Sequence, residues 1–347
     1  MTFQVYVGMD LGSHKTAVMT SEGRRAFLPT VIGRPKDDLS RRLIKTDAVF
    51  GQAAIEGDHS LDLLRPLAHG RLKFHAPGAG DSKGVKDEAT QRESLRLIVQ
   101  HALGLVGVTT DVNAAVVIGA PALACLESKE LLVEIAGRTC RSVMVVSEPF
   151  AVAYGMDQLS GTLVVDIGAG TTDICALTGI YPRPEHQVTL PIGGDAIDDI
   201  FTNLVLSQHP KAIVNRSMLC NLKERFGSVA ENPPQADLTV VVDGRPQILN
   251  LTRQLHDACK WFVEPVFNGL KQCLSGWDSE MQGRLLRNVI LAGGGSRMQG
   301  LDTALERLLR EYYGSARVNP IHDSMFAGAA GALKLAMEAR PEHWNAI

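Results

Sequence analysis

Short apolar runs alternate along the chain with longer segments in which apolar residues recur at helical spacing. The short runs predict buried strands at 3–9, 16–20, 114–118, 143–146, 162–165, 174–177 and 288–291. The helical spacing predicts helices at 95–103, 195–206, 218–226, 251–274, 300–312 and 327–337, with a break or kink at Pro265. Residues 76–90 are polar and glycine-rich, which predicts a surface loop. Strands that alternate with helices favour layered α/β domains.

One supersecondary unit occurs twice. The first copy is Asp10-Leu11-Gly12-Ser13-His14-Lys15-Thr16 and the second is Asp166-Ile167-Gly168-Ala169-Gly170-Thr171-Thr172, so both read D-x-G-x-x-x-T. Each copy follows an apolar strand, and the copies are separated by about the length of a domain. A single Asp-x-Gly turn is weak evidence for function, because Asp and Gly occur in turns everywhere. Two matched copies at strand ends indicate a duplicated binding loop.

The chemistry of these loops suits a polyphosphate. A tight hairpin rich in small residues presents successive backbone N–H groups to an anion. Gly12, Gly168 and Gly170 permit close backbone approach, whereas the hydroxyls of Ser13, Thr171 and Thr172 and the ammonium of Lys15 add further donors. Asp10 and Asp166 stand at the strand ends, and Mg²⁺ prefers oxygen ligands with one or two carboxylates. We therefore predict that the two loops hold a phosphate tail and its magnesium ion.

A third glycine cluster follows the strand at 288–291. It reads Gly293-Gly294-Gly295-Ser296-Arg297, and neither a G-x-x-x-x-G-K-[ST] loop nor a G-x-G-x-x-G fingerprint occurs in the chain. Alone, the cluster is typical of an ordinary strand–helix turn. In series with two phosphate loops it favours a contact with adenosine, because three glycines let a flat base lie against the backbone.

Composition excludes several classes of protein. The 347 residues carry 35 Lys and Arg against 38 Asp and Glu, a net charge of −3, which argues against a generally basic nucleic-acid-binding protein. The hydrophobic share of 45% excludes wholesale disorder. Six cysteines without a CxxC pair are typical of reduced thiols, and no signal peptide or membrane-spanning run is expected. A cytoplasmic protein of about two domains fits these observations.

Taken in order, these motifs resemble the actin-like ATPase superfamily, and the segments 16–21, 145–150, 165–177 and 292–297 are similar to its magnetosome-associated bacterial actins. The resemblance covers nearly the whole chain. It implies two duplicated α/β domains around a nucleotide cleft. The implied subdomains are IA at 1–32, 76–158 and 324–347, IB at 33–75, IIA at 159–193 and 273–323, and IIB at 194–272.

The resemblance also implies roles for particular residues. Glu148 matches the glutamate that orients the attacking water, although a charge at a helix start would fit it equally well on sequence alone. Asp10 and Asp166 match the acidic residues that hold Mg²⁺ and its waters. The remaining implied contacts with ATP or ADP are Gly12, Ser13, His14, Lys15, Thr16, Gly168, Ala169, Gly170, Thr171, Thr172, Gly193, Gly194, Asp195, Lys223, Glu224, Gly293, Gly294, Gly295, Ser296 and Arg297. Asp195 could instead be only an N-cap, and Lys223 and Glu224 only a solvated charge pair.

The implied activity is ATP hydrolysis coupled to head-to-tail assembly into cytoplasmic filaments that position magnetosome chains. The implied partners are further copies of the chain and adaptor proteins of the magnetosome membrane, with no nucleic acid and no direct membrane insertion. Three alternatives stay open on sequence: a cell-shape actin of the MreB kind, a small-molecule kinase of the same superfold, and a nucleotide-binding scaffold without useful hydrolysis. Fold alone does not separate them.

Overall fold

A computed structural model describes residues 3–68, 71–72 and 88–345, and these residues form two compact units. Unit 1 consists of the segments Met1–Asp157 and Met325–Ile347, and unit 2 is the continuous segment Gln158–Ser324. Each unit has a five-stranded mixed sheet of its own. The further division into four subdomains remains a prediction.

Unit 1 contains the strands and helices that the sequence predicts for it, together with others that the sequence does not predict. In chain order they are β1 (Val5–Leu11), β2 (Lys15–Thr20), β3 (Arg25–Pro29), β4 (Ile32–Pro35), α1 (Asp38–Ile44), β5 (Val49–Phe50), α2 (Gly51–Glu56), β6 (Leu61–Leu64), β7 (Leu67–Ala68), β8 (Arg71–Leu72), α3 (Glu88–Leu105), β9 (Ala114–Ala120), α4 (Leu126–Ala136), β10 (Ser142–Ser147) and α5 (Glu148–Gly155). The large sheet has the order β10-β9-β1-β2-β3, and β4, β5 and β6 form a small separate sheet.

Unit 2 repeats the same plan. Its elements are β11 (Ser160–Ile167), β12 (Thr172–Thr178), β13 (Gln187–Leu190), α6 (Gly194–Gln208), β14 (Ala212–Ile213), α7 (Arg216–Phe226), β15 (Asp237–Val242), β16 (Arg245–Asn250), α8 (Thr252–Leu274), α9 (Ser279–Leu286), β17 (Val289–Ala292), α10 (Leu301–Tyr313) and β18 (Val318–Pro320). The large sheet has the order β13-β12-β11-β17-β18, and β14, β15 and β16 form a small one. Short 3₁₀ helices occupy Pro184–His186, Gly294–Arg297 and, in unit 1, Pro341–Asn345.

The topology explains why the two repeated motifs occupy equivalent places. In each large sheet the first strand pairs antiparallel with the second through a tight hairpin and parallel with a neighbour, β9 beside β1 and β17 beside β11. Parallel strands buried on both faces read as continuous apolar runs, and all seven residues of β9 are buried. The carboxyl ends of these parallel strands are where open α/β sheets bind ligands.

The last helix of unit 1, α11 (Ala327–Glu338), packs directly against β1 and α5. A Cβ atom on Gly8 would lie 2.1 Å from the carbonyl oxygen of Ala329, and one on Gly331 would lie 1.7 Å from that of Ala151. Since real Cβ atoms do not approach so closely, only glycine at these two positions allows the backbones to pack together. The polar ends of α5 and α11 are joined by a hydrogen bond from Tyr154 to Glu338 (2.6 Å) and by the ion pair Lys334–Asp157.

Two sequence predictions differ from the structure, and two strands were not predicted. The loop predicted at 76–90 includes the start of α3 at Glu88, and its remaining residues lie outside the described part of the chain. Of the break or kink predicted at Pro265, a break does not occur, because α8 is continuous from Thr252 to Leu274. Phe262 and Val266 are both fully buried and anchor the helix on either side, whereas Trp261, whose carbonyl loses its donor to the proline ring, is exposed. Finally, β15 and β16 were not predicted at all, since most of their residues are polar or exposed.

No helix within the described ranges combines the length and the apolar character that a bilayer crossing requires.

Candidate nucleotide-binding site

The first repeated motif forms the turn between β1 and β2. The Gly12 N–H donates to the Lys15 carbonyl (3.0 Å), and this bond closes a loop of two residues, Ser13 and His14. A Cβ atom at position 12 would lie 2.9 Å from the same carbonyl oxygen, so the turn requires glycine there. Ser13 and Thr16 are buried, and His14 and Lys15 are half-buried.

A residue outside the motif supports this loop. Thr30 is fully buried, and its hydroxyl donates to the Gly12 carbonyl (2.8 Å) and lies 2.9 Å from the Thr16 hydroxyl. Its backbone N–H donates to the His14 carbonyl (2.7 Å). Sequence reasoning missed Thr30 because it belongs to no motif. The only signal was a hydroxyl residue within an otherwise apolar run.

Asp10 is the penultimate residue of β1, and its carboxylate lies close to the start of α11. A Cβ atom on Gly328 would lie 2.9 Å from Asp10 Oδ2, so the helix approaches the carboxylate closely. Burial raises the pKa of Asp10 from 3.8 to about 6, because the charged form loses hydration. A cation beside it would offset this cost, as expected of a metal ligand.

Glu148 is the first residue of α5 and follows β10 directly. It is half-buried, and a Cβ atom on Gly119 would lie 3.2 Å from Glu148 Cγ and 3.7 Å from the Met9 carbonyl oxygen. Glycine at the end of β9 therefore leaves room for the glutamate beside the last residues of β1. The structure brings Glu148 to the same sheet edge as Asp10.

The second repeated motif forms the turn between β11 and β12 with the same closing bond. The Gly168 N–H donates to the Thr171 carbonyl (2.9 Å). The registers also match, since Leu11 pairs with Thr16 and Ile167 with Thr172. The predicted duplication is thus a duplication of hydrogen-bonded structure.

The start of α6 supports this second loop. The Gly194 N–H donates to the Gly168 carbonyl (3.0 Å), and the Asp195 N–H donates to the Ala169 carbonyl (2.8 Å). A Cβ atom on Gly193 would lie 2.5 Å from the Gly168 carbonyl oxygen, which explains the glycine pair before the helix. Asp195 is not the N-cap, because that position belongs to Gly193. The Asp195 carboxylate instead lies 3.6 Å from Arg216, and its burial raises its pKa.

The third glycine cluster packs against the end of β11. A Cβ atom on Gly293, which has φ of +74°, would lie 2.4 Å from Asp166 Oδ1, and one on Gly295 would lie 2.2 Å from Ile167 Cγ2. Two of the three glycines are thus required by packing inside unit 2. Gly294 is exposed with no atom within 4 Å of its Cβ position, so it is the glycine that a base could approach. Ser296 donates to the Gly293 carbonyl (2.7 Å), and Arg297 is exposed.

Lys223 is not the solvated charge that the simplest interpretation predicts. Its ammonium lies 2.8 Å from Asp198 and donates to the Gly194 carbonyl (2.7 Å), and only 12% of its side chain is exposed. It therefore connects α7 to the segment that supports the second loop. Glu224 beside it is exposed. Sequence reasoning also missed Asp198, which is 1% exposed and whose helical position carries no motif.

The donor set suits a magnesium–nucleotide complex. Each unit supplies one strand-end aspartate that a glycine approaches closely, Asp10 with Gly328 and Asp166 with Gly293. Within the described residues, no cluster of three or more His, Cys, Asp or Glu side chains forms a metal cage of protein ligands alone. Mg²⁺ usually keeps several waters and takes one or two carboxylates together with phosphate oxygens, so single aspartates fit that ion. The individual site residues remain predictions.

Comparison with known proteins identifies the family. The profile of the MreB/Mbl protein family matches residues 82–337. The chain therefore belongs to the MreB/Mbl family, and its fold is the actin-like fold that the motifs imply.

Within that family the chain is similar over its full length to Actin-like protein MamK of Magnetospirillum gryphiswaldense (strain DSM 6361 / JCM 21280 / NBRC 15271 / MSR-1). The two are 36% identical over 343 residues, which cover 98% of this chain and 91% of the relative. A MamK double helical filament matches with a TM-score of 0.89 at 35% identity, covering 97% of this chain and 99% of that one. A non-polymerising MamK mutant bound to AMPPNP matches with a TM-score of 0.70 at 35% identity, covering 97% and 100%.

Proposed function

We propose that this chain is a bacterial actin that binds ATP with Mg²⁺, hydrolyses it and assembles head-to-tail into filaments. The observation that carries the proposal is the duplicated loop, which the same backbone hydrogen bond closes in both units. Both loops belong to strand ends, where backbone donors and a carboxylate occur together. The similar MamK protein bound to AMPPNP supports ATP as the nucleotide.

For hydrolysis we assign Glu148 to the attacking water. A carboxylate at the start of α5, beside the end of β1, has the position and chemistry of a group that polarises water. Asp10 and Asp166 would hold Mg²⁺ and its waters, and the ion would neutralise charge that develops on the phosphate oxygens. The remaining residues of both loops, with Gly193 to Asp195, Lys223, Glu224 and the cluster from Gly293 to Arg297, would orient the nucleotide.

Assembly is supported by the similar MamK filament. Head-to-tail contacts are heterologous and do not close, so they generate filaments. By the same similarity we infer a cytoplasmic filament along the magnetosome chain, with adaptor proteins of the magnetosome membrane as its partners. An MreB-like role in cell shape is the less specific alternative, because the similarity to MamK extends over nearly the whole chain.

The test combines binding with sedimentation. Mg·ATP should raise the melting temperature by mass action, and filaments should pellet with ATP above a critical concentration and appear in negative stain. Magnesium chelation should abolish most of the shift. If no nucleotide at millimolar concentration raised the melting temperature, that result would contradict the proposal. A flat sedimentation assay together with phosphorylation of a small-molecule acceptor would favour the kinase alternative, and binding without phosphate release would favour the scaffold.

A further inference from the structure

Thr30 lies between two strands and belongs to neither. It follows β3, which ends at Pro29, and precedes β4, which begins at Ile32, yet its side chain has no exposed surface. A buried hydroxyl costs stability unless it is hydrogen-bonded, so its partners indicate its role. Its three partners, Gly12, His14 and Thr16, all belong to the first repeated motif.

The direction of each hydrogen bond follows from the number of protons available. A threonine hydroxyl has one proton and two lone pairs. Thr30 gives its proton to the Gly12 carbonyl (2.8 Å), so at the contact with Thr16 (2.9 Å) the Thr16 hydroxyl is the donor. The three groups thus form one chain of hydrogen bonds, from Thr16 through Thr30 to Gly12.

This series of hydrogen bonds determines the direction of the backbone N–H groups in the loop. Because the peptide unit is planar and trans, the N–H of each residue is directed opposite to the carbonyl of the residue before it. The Gly12 and His14 carbonyls are both held toward Thr30, by its hydroxyl and by its backbone N–H (2.7 Å). The N–H groups of Ser13 and Lys15 are consequently directed away from Thr30, which is the orientation that an anion-binding loop needs.

We propose that Thr30 is the positioning residue of the first phosphate loop, and that its hydroxyl holds the Ser13 and Lys15 amides in the direction that binds nucleotide phosphate. This inference rests on the proposed function. The inference also gives Thr16 a supporting role, because the Thr16 hydroxyl already donates its proton to Thr30 within unit 1.

The second loop is held by different hydrogen bonds, so the proposal applies to the first loop alone. Its carbonyls at Gly168 and Ala169 accept from backbone N–H groups at the start of α6, and the Thr172 hydroxyl donates to the Ile192 carbonyl (2.9 Å). Backbone donors supply most of this support and a side chain supplies one bond. In the first loop, one hydroxyl oxygen connects two loop residues, so removing that oxygen should loosen the first loop alone.

The experiment replaces the hydroxyl and keeps the volume. Thr30→Val should raise the Kd for Mg·AMPPNP and the KM for ATP by about 10-fold, because a buried carbonyl loses its donor and the loop loses its shape. The rate of phosphate release at saturating ATP should change by less than about 3-fold, since Glu148 is untouched. Thr30→Ser keeps the hydroxyl and should restore wild-type affinity. Thr30→Cys retains a weak donor and should lie between the two, and it provides the same comparison should the valine variant fold poorly.

The matched control is Thr20→Val. Thr20 is also buried and belongs to β2, but its hydroxyl bonds the backbone of Arg24 at the opposite end of that strand. The Thr20→Val substitution should lower the melting temperature without a change in KM or Kd. Unchanged affinity in Thr30→Val, an equal loss in Thr20→Val, or no rescue by Thr30→Ser would each overturn the proposal. Absence of nucleotide binding by the wild-type chain would overturn the proposed function as well, and that result is visible before any variant is made.

Discussion

At the scale of single residues, the two strand-end aspartates are the groups whose environment is most informative. A glycine packs against each carboxylate, Gly328 against Asp10 and Gly293 against Asp166. The backbone therefore approaches both carboxylates closely, with no glycine side chain between. For Asp10 the cost of this confinement appears in its pKa of about 6. A group that is costly to ionise and lies at a strand end is a candidate for function rather than for stability.

The pKa of Asp10 predicts a pH-dependent effect of Asp10→Asn. The folded-state pKa of about 6 exceeds the ordinary 3.8, so ionised Asp10 destabilises the fold. The penalty sets in above about pH 4 and is complete above about pH 6. The ligand-free variant should therefore be more stable than wild type by about 3 kcal/mol at pH 7.5, and by about half as much at pH 5. Thermal melts at both pH values measure this. Asp38→Asn is the control, because its side chain is 92% exposed; a similar gain there would refute the assignment.

Glu148 and Asp166 should fail differently when removed. Glu148→Ala should still bind ATP and assemble, but phosphate release should fall by about 10²-fold and filaments should persist longer. Asp166→Ala should lose hydrolysis and also weaken ATP-driven assembly, because in the proposed site Asp166 would hold the Mg²⁺ that neutralises charge on the phosphates. Phosphate release and pelleting on both variants separate the two roles. Glu127→Ala is the matched control, since Glu127 also lies in the first turn of a helix of unit 1. Near-normal turnover in Glu148→Ala would remove it from the active site.

The sequence predicts the two hairpin loops where a motif repeats, and fails where their support comes from elsewhere. Both loops follow from residue types and spacing, whereas a role for the glycine pair before α6 is implied only by the family resemblance. Thr30 and Asp198 follow from neither, because each acts through contacts with another segment of the chain and such contacts leave no periodic trace in the sequence. Likewise, Gly293 and Gly295 suggest a ligand contact in the sequence, but their environment shows that packing against β11 already requires glycine.

At the scale of elements, the closest approach is that of α5 and α11, and it predicts a steep cost for one methyl group. Gly331→Ala would place Cβ 1.7 Å from a backbone carbonyl oxygen that cannot move aside without displacing α5. We expect a loss of about 2–4 kcal/mol in the free energy of unfolding, as for other overpacked cores.

Gly104→Ala is the matched control for that contact. Gly104 is also helical and lies in unit 1, but nothing lies within 4 Å of its Cβ position. This substitution should stabilise by about 0.5–1 kcal/mol through helix propensity. Denaturant unfolding of both variants gives the comparison, and equal effects would show that the helix contact is not tight.

The helices and strands also differ in how well the sequence predicts them. Strands buried on both faces, such as β9, and strongly amphipathic helices such as α10 are read correctly to within one or two residues at most ends. The small sheet of β14, β15 and β16 is missed, because β16 buries none of its residues and β15 buries only one, so neither strand shows the apolar–polar alternation that marks a half-buried strand. Pro265 is a local helix breaker, but α8 continues through it because tertiary packing overrides the local preference.

At the scale of the whole molecule, the two units differ in how the chain builds them. The core of unit 2 is formed by residues between Leu163 and Val318, within a single continuous segment. We therefore expect residues 158–324 expressed alone to unfold cooperatively. Residues 1–157 alone should not, because they lack α11, which covers β1. Calorimetry of the two fragments makes the comparison. A cooperative transition in 1–157, or none in 158–324, would contradict this account.

The discontinuity of unit 1 also sets an order of events on the ribosome. Synthesis proceeds from the N-terminus, so β1 and the first loop emerge early, but the helix that packs against Gly8 is translated only after all of unit 2. Unit 2 can fold while the chain is still growing, whereas the sheet of unit 1 must wait with one apolar face uncovered. A nascent chain therefore cannot complete the sheet of unit 1, which carries the first loop, before α11 is made.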